Sequence, residues 1–275
     1  MSVEQFTGGL GPQDPEAVIW RFTALWKFED LLTSRELYFC RADDLGDDEE
    51  GLPPEKFVPD LNLHPLDIHD VRTIDHHIGV LAQRRESFYV NCWYLSNEPT
   101  AAMWQEYGKE GVAIASRYSL LKAALESGKD RGFLGLVRYG SRHLKGHSWN
   151  VLRFISTKRE KFAHEKEVRA LLWFPDECSD DTRHFDSNNV PHRRPLMEAP
   201  IICPKFKRLP VDLRSLITAI EGSPWASDET FAEVSNLAKK QELTVPIQWS
   251  DLADISTLIG TEKDLQELLR GRDAR

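Results

Sequence analysis

The stretch from Lys158 to Phe174, KREKFAHEKEVRALLWF, passes from a charged segment directly into an apolar β-strand. Its last part, VRALLWF, consists mainly of the branched and aromatic residues that are typical of a buried strand. Side chains alternate between the two faces of a strand, so Glu165, Glu167 and Arg169 are predicted to project from one face. The stretch therefore predicts a core strand with a charge cluster at its start.

Similar apolar runs recur along the chain and alternate with segments of helical spacing. The predicted strands are 17–22, 37–40, 88–95, 111–116, 133–139 and 168–174. The predicted helices are 24–32, 66–85, 100–107, 117–127 and 149–164. This mixture predicts an α+β fold, with a mixed, mainly antiparallel sheet and flanking helices.

The composition changes near the end of the sixth predicted strand. Residues 1–175 are predicted to form the α+β core, and the polar segment 176–195 is predicted to be an irregular excursion. Residues 196–275 are predicted to form a β-β-α-β layer packed on that core, with strands at 199–203, 215–220 and 243–249 and a helix at 227–240. We expect one domain overall.

The overall charge and the cysteine pattern narrow the classes of function. The 275 residues carry a formal net charge of −9, so phosphate-backbone binding requires a local basic patch. The four cysteines form no C-x-x-C pair, which predicts reduced thiols. No basic segment precedes an apolar one at the N-terminus, and no apolar run has a membrane-spanning length. The sequence predicts a cytoplasmic protein that does not bind membranes.

The segment DDLGDDEE, residues 43–50, is strongly acidic. Its carboxylates are of the type that binds Mg²⁺ or Ca²⁺, but their spacing does not match a calcium loop. A solvated loop is the alternative, and no metal site is predicted. A metal-dependent nuclease, a weaker hypothesis, would use Asp47, Asp48, Glu49 and Glu165.

Three features are candidates for a sugar-nucleotide site. Glu165 and Glu167 can hydrogen-bond a sugar hydroxyl and stabilise positive charge at an anomeric carbon, or they can form ion pairs at the start of the strand. Arg21, within the apolar run AVIWRF, must either be paired or face a ligand such as a pyrophosphate. An aromatic group around Trp93 can stack on a base, or can belong to the core.

Several blocks of the sequence resemble a bacterial family known as domain of unknown function 2971 (DUF2971). They are IWRF at 19–22, LLTSRELYFCRADDLGDDEEG at 31–51, VNCWYLSNEPTAAMWQEYGKEGVAIAS at 90–116 and FAHEKEVRALL at 162–172. One block departs from the family pattern: where the family usually has Asn-Asp-Pro-Phe-Glu, this chain has Gly-Asp-Asp-Glu-Glu at 46–50.

The order of these blocks is also similar to that of mono-ADP-ribosyltransferases. That resemblance implies that Glu167 is the principal catalytic carboxylate and that Glu165 lies next to the acceptor. It implies that Arg21 contacts NAD and that Tyr38 or Trp93 stacks on the nicotinamide.

The implied function is an NAD-consuming mono-ADP-ribosyltransferase in bacterial anti-phage defence. It would act on an unknown macromolecular acceptor, either a protein or a nucleic acid. The alternative from a different class is a non-enzymatic interaction or sensor module of a defence system.

Overall fold

The structure is a computed structural model that describes residues 4–5, 11–47, 49–52, 85–140, 151–174, 183–185, 191–193 and 203–252. The strands in chain order are β1 Glu4–Gln5, β2 Val18–Ala24, β3 Glu36–Arg41, β4 Phe88–Leu95, β5 Gly111–Arg117, β6 Arg131–Leu136, β7 Arg138–Tyr139, β8 Thr157–Lys158, β9 Glu167–Trp173, β10 Arg183–Phe185, β11 Pro191–Arg193, β12 Phe206–Pro210, β13 Ala219–Gly222 and β14 Ile247–Trp249.

Helices of three kinds lie between the strands. The α-helices are α1 Leu25–Ser34, α2 Ala101–Met103, α3 Tyr118–Ser127, α4 Val151–Ile155, α5 Leu213–Leu216 and α6 Asp228–Lys240. A π-helix, Trp104–Gly108, continues α2, and 3₁₀ helices span Ala42–Asp44, Arg85–Ser87 and Glu160–Glu165.

The chain forms two compact units that alternate along the sequence. The first unit contains Met1–Pro15, Leu37–Tyr94 and Lys122–Pro210, and the second contains Glu16–Glu36, Leu95–Leu121 and Val211–Arg275. Each unit brings together segments that are distant in the sequence. The predicted division at 175 and 195 stays a prediction.

The first unit is built around β9. Antiparallel neighbours lie on both sides of this strand, β4 on one and β6 on the other. β3 pairs with β4 in an antiparallel manner, and β12 pairs with β3. Helix α4 contributes Phe154 and Ile155 to a hydrophobic cluster with Phe88, Phe133 and Leu171 of the surrounding strands. Burial of these side chains holds β9 in the interior.

The second unit is built around β5, which pairs antiparallel with β2 and with β13, while β14 pairs parallel with β13. Its first residue, Gly111, lies so close to β2 that a Cβ atom there would be 1.9 Å from the carbonyl oxygen of Thr23. The close approach of these two strands therefore requires glycine.

The predicted α+β fold with a mainly antiparallel mixed sheet is confirmed, and the strand at 88–95 has the predicted bounds. The prediction of one continuous helix over 149–164 is wrong, because the short helix α4 is followed by β8 and then by a 3₁₀ helix. Of the helix predicted at 66–85, all residues except Arg85 lie outside the described residues, and Arg85 begins a 3₁₀ helix.

The C-terminal predictions hold in part. The helix predicted at 227–240 is α6, Asp228–Lys240. The last part of the strand predicted at 243–249 is β14, Ile247–Trp249. The strand predicted at 215–220 corresponds to the end of α5 and the start of β13, and of the segment predicted at 199–203 only Cys203 lies within the described residues. β12 was not predicted. Within the excursion 176–195, β10 pairs antiparallel with β11, and the remaining residues lie outside the described part of the chain.

Two further sequence predictions concern membranes and thiols. Among the described residues, no helix has both the length and the apolar character needed to cross a membrane. Cys40 and Cys92 are free thiols, whereas Cys203 is disulfide-bonded. The prediction that all cysteines are reduced is therefore wrong.

Candidate functional site

The centre of the candidate site is Arg169, a fully buried residue of β9 that lies opposite Cys92 of β4. Its Nε donates to Glu167 Oε1 at 2.6 Å and its Nη2 donates to Glu167 Oε2 at 2.8 Å. Nη2 also donates to Glu50, and Nη1 donates to the carbonyl oxygen of Ile155. All three nitrogen atoms of the guanidinium are thus bound by acceptors of the first unit.

Glu167, the predicted catalytic carboxylate, is only 4% exposed. Both of its oxygen atoms accept from Arg169, and Oε2 lies 3.2 Å from the Nζ of Lys158. Burial alone would raise the pKa of Glu167, but the charges of Arg169 and Lys158 outweigh it and lower the pKa to about 2. This side chain is therefore a charged partner in a buried ion-pair network.

Lys158 joins the remaining carboxylates to the network. Its Nζ donates to Glu165 Oε2 at 2.6 Å and lies 3.9 Å from Glu50 Oε2. Burial opposes its charge, yet the neighbouring carboxylates, Glu167 first among them, raise the pKa of Lys158 above its usual value. We call the residues Glu50, Lys158, Glu165, Glu167 and Arg169 the Arg169 cluster.

The backbone brings Glu165 and Glu167 together in a way that strand alternation did not predict. β9 begins only at Glu167, and Glu165 is the last residue of a 3₁₀ helix. Between them Lys166 has a left-handed backbone with φ 38°. The prediction that both carboxylates lie on one strand is wrong, but both do bind the same ammonium group of Lys158.

The backbone of Glu167, a member of the Arg169 cluster, is hydrogen-bonded to the residues that follow β6. The backbone N–H of Glu167 donates to the hydroxyl oxygen of Tyr139 at 2.8 Å, and the N–H of Val137 donates to the carbonyl oxygen of Glu167 at 2.9 Å. Burial raises the pKa of Tyr139, so its hydroxyl stays protonated at neutral pH. These contacts hold the start of β9 against the end of β6.

The acidic loop supplies Glu50 to the cluster. At its surface the guanidinium of Arg159 lies 2.7 Å from Asp47 Oδ1 and 3.1 Å from Glu49 Oε2. Gly51 follows with φ 77°, a conformation that favours glycine. Of the four carboxylates that the nuclease hypothesis requires, Asp47 and Glu49 pair with Arg159, and Glu165 pairs with Lys158. The fourth, Asp48, lies outside the described residues.

Tyr38 lies in a different part of the first unit, on β3, and is 39% exposed. Its ring stacks on that of Phe206 in β12, with centroids 5.2 Å apart and planes inclined by 24°. The guanidinium of Arg208 lies 6.0 Å from the Tyr38 ring and 5.7 Å from the Phe206 ring. We call Tyr38, Phe206 and Arg208 the aromatic surface.

Trp93 and Arg21, the other predicted NAD contacts, have different environments. Trp93 is buried in β4 and its Nε1 donates to Asn91 Oδ1 at 2.6 Å, so its ring belongs to the core. Arg21 lies on β2 opposite Ile114, in the second unit, whereas Glu167 lies in the first. The hypothesis that Arg21 and Glu167 face one NAD-sized cleft stays a prediction.

Five residues of these sites were not predicted from the sequence: Glu50, Lys158, Tyr139, Phe206 and Arg208. Glu50 and Lys158 were visible only as members of charged runs, and nothing in the sequence indicates that they meet. Phe206 stands in the run KFKR, whose alternation of basic and aromatic residues is a recognisable signal. Of these residues, Phe206 is therefore the one whose role the sequence indicates most directly.

No protein-family model, no curated protein and no solved structure matches this chain. The resemblance to the DUF2971 family and to mono-ADP-ribosyltransferases therefore stays a prediction.

Proposed function

We propose that this protein is a non-enzymatic interaction module, in which the Arg169 cluster stabilises the first unit and the aromatic surface contacts a macromolecular partner. The observation that carries the proposal is the state of Glu167. Its two oxygen atoms are bound by Arg169 and Lys158 inside the protein. Both oxygen atoms of this carboxylate are thus engaged by cations of the protein itself.

The energetics of the cluster support the same conclusion. Releasing Glu167 toward a substrate would leave the buried guanidinium of Arg169 with fewer acceptors, and an uncompensated buried charge is strongly unfavourable. A catalytic carboxylate of an ADP-ribosyltransferase must instead stay available to the sugar as positive charge develops. The observed contacts suit a permanent structural role better.

The aromatic surface supports the binding part of the proposal. Large aromatic side chains are costly to leave exposed, and together with arginine they are enriched where proteins bind partners. Tyr38 and Phe206 keep 39% and 44% of their surfaces exposed although they lie side by side. This combination favours recognition of a partner.

The test of the non-enzymatic part is incubation of the purified protein with labelled NAD and a bacterial lysate. We expect nicotinamide release to equal that of the buffer blank, with wild type and Glu167→Gln indistinguishable, while a known ADP-ribosyltransferase serves as the positive control. Release by the wild type that is lost in Glu167→Gln, with the fold of the variant verified by circular dichroism, would instead establish the ADP-ribosyltransferase hypothesis.

A further inference from the structure

We infer that the aromatic surface binds single-stranded nucleic acid, with bases stacking on the rings of Tyr38 and Phe206 and phosphate pairing with Arg208 of β12. The inference rests on the proposed function, because it names the partner of that interaction module.

The two rings form a platform of the kind that bases occupy. They lie on neighbouring strands of one sheet, stack on each other with centroids 5.2 Å apart, and keep 39% and 44% of their surfaces exposed. Sheet surfaces that bear two aromatic side chains commonly stack successive bases of a single strand. Arg208, near both rings, adds a planar cation of the type that stacks on bases or contacts phosphate.

The backbone positions of these rings are well supported. The carbonyl oxygen of Tyr38 accepts from Asn91 Nδ2 at 2.8 Å, and the N–H of Arg41 donates to the carbonyl oxygen of Lys205 at 2.9 Å. Just before β12, the hydroxyl of Tyr89 donates to the carbonyl oxygen of Pro204 at 2.9 Å. A platform held in this way needs little reorganisation on binding.

The local charge is complementary to a phosphate backbone even though the whole chain is acidic. The run from Lys205 to Arg208 contains three cationic side chains in four residues. Phe206 and Arg208 contact Tyr38, while Lys207, which alternates with them along β12, lies 4.3 Å from the ring of Phe174. Arg208 is therefore the cation of β12 that shares a face with the rings, and it supplies local positive charge for a phosphate in a protein of net charge −9.

The negative charge of Asp44 near Tyr38 opposes phosphate binding on one side of the aromatic surface. Burial, and then the negative charges of Cys40 and Asp44, raise the pKa of the Tyr38 hydroxyl, whereas Arg208 acts in the opposite direction. The hydroxyl side of Tyr38 is therefore less favourable to phosphate than the Arg208 side. This asymmetry predicts that bases occupy the rings while phosphates follow the β12 side.

A single strand fits this surface better than a duplex or an acidic peptide. In a duplex the bases are already stacked on one another, so exposed rings gain little from them. An acidic peptide would use the cations but would leave the ring stack without a partner. The combination of rings and cations is explained by a ligand that carries both bases and phosphates.

The test is fluorescence anisotropy with labelled twelve-nucleotide oligo-dT and oligo-U at low salt, and with a duplex and a poly-glutamate peptide as competitors. We expect binding of the single strands that weakens as salt rises. Tyr38→Ala and Phe206→Ala should each weaken binding about 5- to 150-fold, the range that corresponds to loss of one base stack.

Trp26→Ala is the matched control. Trp26 is 67% exposed and lies beside the cation of Lys27, 5.3 Å from its ring, but it belongs to the second unit. We expect this variant to bind like the wild type. Tyr38→Phe, which keeps the ring, should retain most of the affinity and so separates stacking from any loss of fold.

Three results would overturn the inference: no binding by the wild type, unchanged binding in Tyr38→Ala and Phe206→Ala, or equal competition by the duplex or poly-glutamate. If the oligonucleotides do not bind and NAD is not turned over, the proposal of an interaction module stands, but with a different partner. NAD turnover that depends on Glu167 would overturn the proposed function even if oligonucleotides bind.

Discussion

Arg169 shows how one side chain can organise a whole unit. Its guanidinium bonds two carboxylates and a backbone carbonyl from three different segments, the acidic loop, α4 and β9. A buried ion-pair network of this kind contributes little net stability relative to apolar packing, but removal of one member is costly. The network therefore acts chiefly by requiring these segments to come together.

We predict that Arg169→Met lowers the free energy of unfolding by about 3–5 kcal/mol, because it leaves buried carboxylates without their cation. Arg159→Met is the matched control. Its side chain is 43% exposed and pairs with Asp47 and Glu49 at the surface, so the loss of stability should be much smaller than in Arg169→Met. Urea unfolding at pH 7 measures both, and equal losses would contradict the structural role of the cluster.

At the scale of elements, close strand contact in the second unit depends on glycine. We predict that Gly111→Ala destabilises the protein by about 1–3 kcal/mol or more, because its Cβ would overlap the backbone of β2 at Thr23. Gly46→Ala is the control, since nothing lies within 4 Å of a Cβ there. Thermal unfolding compares the two, and a neutral Gly111→Ala would show that β2 can move away.

The helix predicted at 100–107 becomes a short α-helix followed by a π-helix, which changes which side chains are buried. On a regular α-helix Trp104 and Tyr107, three positions apart, would share one face. In the π-helix Trp104 is fully buried against Phe22, with ring centroids 5.0 Å apart, whereas Tyr107 is 44% exposed. The reason is that the wider π-helical turn does not place residues three apart in the same direction.

This difference gives a paired prediction. Trp104→Ala should cost about 3–5 kcal/mol of unfolding free energy, as is usual for a buried tryptophan. Tyr107→Ala, in the same element, should cost much less because its ring is partly exposed. Chemical unfolding monitored by circular dichroism tests both, and similar losses would mean that Tyr107 has a packing role after all.

At the scale of the whole molecule, the Arg169 cluster couples stability to acidity. The pKa of Glu167 is lowered from 4.5 to about 2 in the folded protein. The stability that this group contributes is thus fully present above about pH 4.5 and is lost as the pH falls toward 2. The lowering of the pKa from 4.5 to about 2 corresponds to about 3 kcal/mol of unfolding free energy.

We therefore predict that Glu167→Gln flattens the dependence of unfolding free energy on pH between 5 and 2, although the variant is less stable at neutral pH. Urea unfolding at several pH values measures this slope. Glu242→Gln, whose side chain is 76% exposed, is the control and should keep the wild-type slope. An unchanged slope in Glu167→Gln would show that other groups govern acid unfolding.

The sequence by itself determined the α+β class and the position of most strands, because apolar runs bounded by turn residues depend only on neighbouring residues. It also identified the charge cluster at the start of β9. These are local properties: residue type, alternation and spacing carry them, and the structure confirms β4 at its predicted bounds.

Only the tertiary structure decided what these residues do. Glu50 meets Arg169 across 119 positions of sequence, and Tyr38 meets Phe206 through the pairing of β3 with β12. The left-handed turn at Lys166, which separates Glu165 from the strand of Glu167, is set by such contacts as well. Burial and ion pairing are properties of chain segments brought together from a distance, and alternation along one strand does not determine them.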